Sequence, residues 1–100
     1  MDPLERLVDK NTKENLWLYV LRILRDSPSH AYTLRKNIDE RFGFMPGNVT
    51  AYRVLYQLKL RDLVSKNKEG RKKVYSITPK GIETLKKAVE FFDERTEMLK

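Results

Sequence analysis

The sequence predicts a mainly α-helical fold that carries one small β-hairpin. Through most of the chain, apolar residues recur at spacings of three and four, which is the period of an amphipathic helix. After Asp62 this period changes, and two short runs at 63–68 and 72–77 flank a turn that contains Gly70. The 100 residues, of which 40% are hydrophobic and 35% charged, fit a single globular domain over 1–100.

Two helices are predicted in the first quarter of the chain. The first covers 2–8. Asn11 then resembles an N-cap, and Glu14 follows it at the capping-box distance of three residues. The helix that this cap would begin, 12–25, is apolar on most sides, so we expect several neighbours to bury it as the central core helix. Trp17 within it is assigned to packing.

The next two helices are joined by a short loop that contains Pro and Gly. The helix 31–42 repeats apolar residues every four positions and ends at Gly43, a residue type that commonly terminates helices. Asn48 is predicted to cap the following helix, 49–61. Two helices connected in this way have the layout of a helix-turn-helix.

A long helix closes the predicted fold. A Thr-Pro pair supplies the N-cap and the first position of the helix 79–100, which carries apolar residues at heptad spacing. Together with the hairpin, this order of elements predicts a winged helix-turn-helix with its core at 12–78 and its wing at 63–77. The segments 2–9 and 79–100 are predicted to be dimerisation helices.

Positive charge is concentrated in the second half of this predicted core. Between Arg41 and Lys80 there are ten Lys or Arg and only two acidic residues, whereas the rest of the chain is close to neutral. Clustered bases gain affinity for a polyanion because they release the counterions that condense on its phosphates. The alternative is a solvated basic surface that has no partner.

The helix 49–61 has a polar row on the side turned away from its apolar residues. This row consists of Thr50, Arg53, Gln57 and Arg61. Arg can pair with guanine and Gln with adenine in the major groove, so the helix is predicted to read double-stranded DNA and is called the reading helix below. The wing bases are predicted to contact phosphates, with a groove contact from Arg71 as an option. The predicted DNA-contacting residues are Asn48, Thr50, Tyr52, Arg53, Gln57, Arg61, Lys66, Lys68, Arg71, Lys72 and Lys73.

Four short segments, in order along the chain, match the motifs of one known family. The segment 30–34, His-Ala-Tyr-Thr-Leu, is similar to a His-Gly-Tyr-x-Leu element, and 46–52 aligns with Pro-Ser-Pro-Gly-Thr-Val-Tyr. The apolar residues of 55–64 match Leu-x-x-Leu and Gly-Leu-Val positions, and 71–81 resembles a passage ending in Tyr-x-Leu-Thr-Pro-x-Gly. Over 14–90 the chain therefore resembles the PadR-like transcriptional regulators.

The resemblance implies a homodimeric repressor of the short class, which has a single C-terminal helix, bound to a palindromic operator. It also implies an effector that is a small aromatic or cationic molecule, and it aligns Thr50 and Tyr52 with DNA-contacting positions. The chain departs from the family pattern at several positions of 48–53, so the family's operator sequence is not carried over. Asp62 stands where the family usually has Gly.

A dimer is also predicted from the apolar residues of the terminal helices. The apolar seam of the last helix runs for about 30 Å, at about 1.5 Å per residue. A stripe of this length is rarely left in water, so a second subunit is expected to cover what the chain's own core does not. A twofold dimer would also separate two reading helices by about 34 Å, one turn of DNA. The predicted interface residues are Leu4, Leu7, Val8, Leu85, Val89, Phe92 and Leu99.

Other classes of function have little support. The chain has no Cys, one His and four scattered Gly, so no Cys–His pair, histidine-rich metal cluster or phosphate-binding glycine loop is available. An enzyme, a metal site and a cofactor are therefore not predicted, and His30 is assigned to a structural hydrogen bond. No apolar run approaches the roughly 20 residues of a membrane span. The lack of Cys fits a cytoplasmic location.

The main alternative is a winged helix that binds an acidic partner protein through its basic wing. RNA binding is a weaker alternative, because it usually needs exposed aromatic residues for stacking and only Tyr52 or Tyr56 could supply them. A steep dependence of binding on salt would favour a nucleic acid, since several phosphates would be neutralised.

Overall fold

A computed structural model describes all 100 residues, Met1–Lys100, as five helices and one antiparallel hairpin. This architecture confirms the predicted fold class. Between the first two helices lies a single turn of 3-10 helix at Lys13–Asn15. The elements are α1 (Pro3–Lys10), α2 (Leu16–Asp26), α3 (Ala31–Phe42), α4 (Asn48–Leu60), β1 (Val64–Glu69), β2 (Lys72–Ile77) and α5 (Pro79–Leu99).

The core is built around α2, as its apolar sequence predicts. Val20 and Leu21 at its centre are fully buried, and α2 contacts α3, α4, α5 and β2. Leu34 and Ile38 of α3 and Leu55 of α4 are buried against it in one continuous apolar cluster. Because four helices and the hairpin share this cluster, the reading helix is held on a rigid support.

The capping box predicted at Asn11 is wrong. α1 continues to Lys10, so Asn11 lies at its C-terminal end and donates a side-chain hydrogen bond of 2.8 Å to the carbonyl of Leu7. Glu14 pairs instead with Lys10, at 2.7 Å between Oε2 and Nζ. The 3-10 turn then separates the two helices, and α2 begins at Leu16 rather than at residue 12.

The loop between α3 and α4 lies where it was predicted, but the N-cap of α4 differs from the prediction. Gly43 ends α3 in the left-handed conformation, with φ of 80°. Asn48 was predicted as the cap of the next helix, but the extended Gly47 occupies the cap position and Asn48 is already the first helical residue. The guanidinium of Arg35 donates a 3.0 Å hydrogen bond to the carbonyl of Pro46 and so fixes the loop.

β1 and β2 form the wing, with a two-residue turn at Gly70 and Arg71. The register runs from the pair Val64 and Ile77 to the pair Glu69 and Lys72. β1 starts one residue later than predicted, because Leu63 is buried in the core within the turn that precedes the strand. Gly70 has φ of 61°, which meets the backbone requirement of a tight hairpin turn.

The first turn of α5 is joined directly to the turn between α4 and β1. Thr78 caps α5 as predicted: its hydroxyl accepts the Gly81 N–H at 3.0 Å and donates to the Asp62 carbonyl at 2.6 Å. The Thr78 N–H also donates to the Leu63 carbonyl at 3.1 Å. A Cβ on Gly81 would lie 2.2 Å from that carbonyl oxygen, so only Gly fits at this point. We call these four residues the Thr78 joint.

The Thr78 joint yields a test of close backbone packing. We expect Gly81→Ala to lower the free energy of unfolding by at least about 2 kcal/mol, because the new methyl group would force two backbone segments apart. Gly47→Ala is the matched control, since its nearest neighbour would be the Thr50 Oγ1 at an ordinary 3.7 Å. The control should cost less than about 1 kcal/mol in urea unfolding. Equal losses in both variants would contradict the packing assigned to Gly81.

Asp62 is the one non-glycine residue with a positive φ, at 62°. The left-handed conformation costs an L-residue about 1–2 kcal/mol, although Asp tolerates it better than most. Gly has no Cβ and therefore relieves the steric clash of the left-handed conformation. It also makes the unfolded chain more flexible, which lowers the free energy of unfolding by about 0.5–1 kcal/mol. We therefore expect Asp62→Gly to stabilise the fold by about 0.5 kcal/mol and Asp62→Ala to destabilise it. Thermal unfolding of both variants tests this order, which a less stable Asp62→Gly would contradict.

Candidate nucleic-acid interface

α4 presents its polar side to solvent because its apolar side is used by the core. Ala51, Leu55 and Leu58 are buried, and the helix contacts α2, α3 and β1. All eleven predicted DNA-contacting residues are exposed, both on the helix and on the wing. The first turn of α4 has no side-chain cap, so its free N–H groups are available to an anionic group outside the protein.

Three of the four residues of the predicted polar row lie together, whereas Thr50 borders a separate, smaller cavity beside Pro46 and Gly47. Arg53, Gln57 and Arg61 lie along a cleft whose other walls are Trp17, Val54, Leu58, Leu63 and Thr84. This Trp17 cleft has a volume of ≈ 470 Å³. Trp17, assigned to core packing from the sequence, is only half-buried, and its indole N–H donates to Asn15 Oδ1 at 3.3 Å.

Tyr52 lies on the opposite flank of α4, beside the wing. It lines a second concavity of ≈ 520 Å³, the wing pocket, which is bordered by His30, Ala31, Tyr32, Thr33, Tyr52, Arg71, Lys72, Lys73 and Tyr75. Burial raises the pKa of the Tyr75 hydroxyl, and the nearby Tyr52 raises it further. The pocket therefore combines cationic side chains with neutral hydroxyl groups, which is a suitable set for binding phosphate oxygens.

The wing holds like charges close to one another. Lys68 and Lys73 are directly opposite in the antiparallel register, an arrangement that is destabilising without a neutralising partner. The positive charges of Lys59 on α4 and Lys73 on β2 lower the pKa of Lys66. The field of the wing therefore extends onto the reading helix, and an anion bound between them would relieve the repulsion.

Backbone hydrogen bonds fix the wing relative to α3. Ser29 and Tyr75 exchange two of them, at 3.0 and 2.9 Å, so a short bridge extends the hairpin towards the start of α3. The imidazole of His30 donates from Nδ1 to the carbonyl of Lys73 at 3.1 Å. This contact confirms the structural hydrogen bond predicted for His30. The wing and the two helices thus present one continuous surface.

Four exposed residues of this surface were not among the predicted DNA contacts, although Tyr56 was considered for stacking. Tyr32 and Thr33, in the first turn of α3, border the wing pocket. Val49 and Tyr56 lie on the outermost side of α4 and are 70% and 60% exposed. A signal was present for the first two, because the N-terminal turn of the first helix of a helix-turn-helix faces the same side as the reading helix. Val49 and Tyr56 carry an apolar and an aromatic side chain on a side of α4 that was predicted to be polar.

The terminal helices leave apolar residues uncovered. α1 has no buried residue, and Leu4, Leu7 and Val8 are exposed. Val89, Phe92 and Leu99 are exposed on α5. Leu85 is an exception among the predicted interface residues: it is 3% exposed and belongs to the core cluster, because the first half of α5 packs against α2. Leu85 is therefore an internal residue rather than an interface residue.

No helix has the length and apolar character needed to cross a membrane. No group of three or more metal-ligating side chains converges at any point. Asp26 accepts hydrogen bonds from Arg22 and Arg41, which lower the pKa of its carboxyl.

Known proteins resemble the chain in sequence and in fold. A family model described as the transcriptional regulator PadR-like family matches residues 20–87. The structure is similar to a PadR family transcriptional regulator from Eggerthella lenta DSM 2243, with a TM-score of 0.82 and 21% identity over 96% of this chain and 88% of that chain. A search of curated protein sequences finds no significant match.

Two other solved structures are similar to the chain. A PadR family transcription regulator from Clostridium difficile R20291 has a TM-score of 0.76 and 18% identity, over 83% of this chain and 92% of that chain. F93 from STIV, a winged-helix DNA-binding protein, has a TM-score of 0.70 and 21% identity, over 81% of this chain and 89% of that chain. These similarities agree with the winged helix-turn-helix predicted from the sequence.

Proposed function

The chain belongs to the PadR-like family of transcriptional regulators, and from this premise we propose that it represses transcription by binding a palindromic operator as a homodimer. It is a winged-helix DNA-binding regulator rather than an enzyme. The observation that carries the proposal is the alignment of an uncapped reading helix and a strongly basic wing on one rigid surface. We propose that it acts in the cytoplasm, where its operator lies.

In the proposed complex, α4 lies in the major groove and the wing follows the adjacent backbone or minor groove. The N-terminal half of a reading helix usually carries the base contacts. Arg53 lies in that half, one turn after the first helical residues, and its guanidinium can pair with guanine O6 and N7. Gln57 and Arg61 lie further towards the C-terminal end of α4, so we assign them a smaller part in direct reading.

Phosphate contacts are assigned to the wing pocket and its surroundings. Lys72 and Lys73 provide charge, while Tyr52 and Tyr32 provide hydroxyl donors on either side. Lys66 and Lys68 extend the basic surface along β1. Contacts to phosphates position the protein without distinguishing bases, so this part of the surface contributes affinity rather than specificity.

The homodimer is proposed from the uncovered apolar surface. α1 buries nothing within its own chain, and the second half of α5 exposes Phe91 and Phe92, whose ring centroids are 6.0 Å apart. A twofold arrangement of these helices would cover both surfaces at once. It would also present two reading helices to successive major grooves, about 34 Å apart.

A small aromatic effector, as the family resemblance implies, would find suitable walls in the Trp17 cleft. Trp17 offers a ring for stacking, while Arg53 and Arg61 disfavour a cationic ligand by charge repulsion. A ligand in this cleft would contact several side chains of the reading helix, among them Arg53 and Gln57. Occupancy would therefore compete with DNA for Arg53 and Gln57, which couples the ligand to release of the operator.

The proposed function is tested by DNA binding. Fluorescence anisotropy would compare the DNA immediately upstream of the gene with a random duplex of equal length at two salt concentrations. We expect tighter binding to the upstream DNA that survives the higher salt, at two protomers per site. Equal and salt-sensitive binding to both duplexes would contradict sequence-specific regulation at that site. No binding at low salt would favour the alternative in which the wing binds an acidic protein.

Arg53 and Lys72 should separate specificity from general affinity. We expect Arg53→Ala to weaken operator binding relative to random DNA by about 1–3 kcal/mol, because a bidentate base contact is lost. Lys72→Ala should weaken binding to both duplexes alike and reduce the salt dependence, because one phosphate contact is lost. Each variant serves as the control for the other. Identical behaviour of the two on both duplexes would overturn the assigned roles.

A further inference from the structure

The outermost side of α4 is more apolar than a solvated helix face should be. Val49, Arg53, Tyr56 and Leu60 follow one another at spacings of four, three and four, so they share one side of the helix, opposite the core. The three apolar members are 70%, 60% and 64% exposed, in chain order. Single exposed apolar residues are common on protein surfaces, but three on one helical side call for a partner.

The surroundings of this side indicate what the partner is. The wing pocket with Arg71, Lys72 and Lys73 borders it on one flank, and Arg61 lies at its far end. The positive charge of Lys59, on the same helix, is strong enough to lower the pKa of Lys66. An apolar strip enclosed by cationic groups matches the major groove, where phosphates flank the base edges.

Thymine provides the apolar group that the major groove contains. Its 5-methyl group projects into the groove, and no other base carries an apolar substituent there. The side chain of Val49 has only methyl groups to offer, and it lies in the first turn of α4, where a reading helix approaches the bases. A valine at this position can recognise thymine by contact and cannot hydrogen-bond to any base.

We propose that Val49 selects a thymine in the operator through contact with its 5-methyl group. This inference rests on the proposed function and adds a second specificity residue to Arg53. The two residues are four positions apart, or about 6 Å along the helix, and successive base pairs are about 3.4 Å apart. The selected thymine therefore lies about two base pairs from the guanine that Arg53 contacts.

The test removes the methyl group from the DNA and from the protein separately. The full chain first selects tight-binding duplexes from a random pool, so that the operator sequence need not be known. In the selected duplex, each thymine of one half-site is then replaced by uracil, which differs only by the missing methyl group. Anisotropy titrations of each duplex are made with the wild type, with Val49→Ala, and with the matched control Leu60→Ala, which removes another exposed apolar side chain of the same helical side.

We expect uracil at one thymine to weaken wild-type binding about three- to fivefold, the amount that burial of one methyl group provides. Val49→Ala should show no uracil effect at that position, whereas Leu60→Ala should retain it. Alanine is a good helix former, so the variant should fold as the wild type does.

The contrary results are distinct from one another. Three results would overturn the assignment of Val49. The uracil effect could persist in Val49→Ala, it could be lost equally in Leu60→Ala, or no thymine could show such an effect with the wild type. Failure to enrich any duplex from the pool would instead overturn the proposed function itself, and the inference with it.

Discussion

The position of every functional element depends on the Thr78 joint. At this joint the end of α4, the start of β1, the end of β2 and the start of α5 come together in space and are tied to one another. The Leu63 carbonyl receives the Thr78 N–H at 3.1 Å, while the space over this carbonyl is left free only by the missing side chain of Gly81. Neither the angle of the wing nor the direction of α5 can change without breaking this contact. The wing, the end of the reading helix and the start of α5 are therefore linked to one backbone junction.

The range over which a sequence signal acts decides which parts of the fold could be predicted from the sequence. The Thr-Pro start of α5 and the glycine end of α3 were predicted correctly, because caps of this kind act over three or four residues. The capping box at Asn11 was wrong because Glu14 pairs with Lys10, four residues before it, rather than with the backbone of Asn11. Leu85 was assigned to the interface because a helical period identifies an apolar side without identifying what covers it.

The candidate site was predictable in composition but not in arrangement. A helical wheel locates polar residues relative to the core, and all of those predicted on α4 are exposed. It contains no information about the neighbours on either flank, which here are Trp17 on one side and the wing on the other. The predicted DNA contacts of α4 therefore divide between two flanks, with Arg53, Gln57 and Arg61 at the Trp17 cleft and Tyr52 at the wing pocket. Val49 and Tyr56 occupy the outermost side between them. Three-dimensional packing, rather than periodicity, decides this division.

This division gives α4 a separate task on each flank. The wing side contributes charge whose repulsion, as between Lys68 and Lys73, is relieved only when an anion is present. The cleft side contributes Arg53 and Gln57, side chains that can turn either towards bases or towards a ligand beside Trp17. In the proposed mechanism, a ligand in the Trp17 cleft would weaken DNA binding without a large movement of the helix, because redirecting two long side chains would be sufficient. Since the core and the Thr78 joint hold the backbone in place, differential contacts of these side chains would be the most direct coupling between a ligand and the proposed operator.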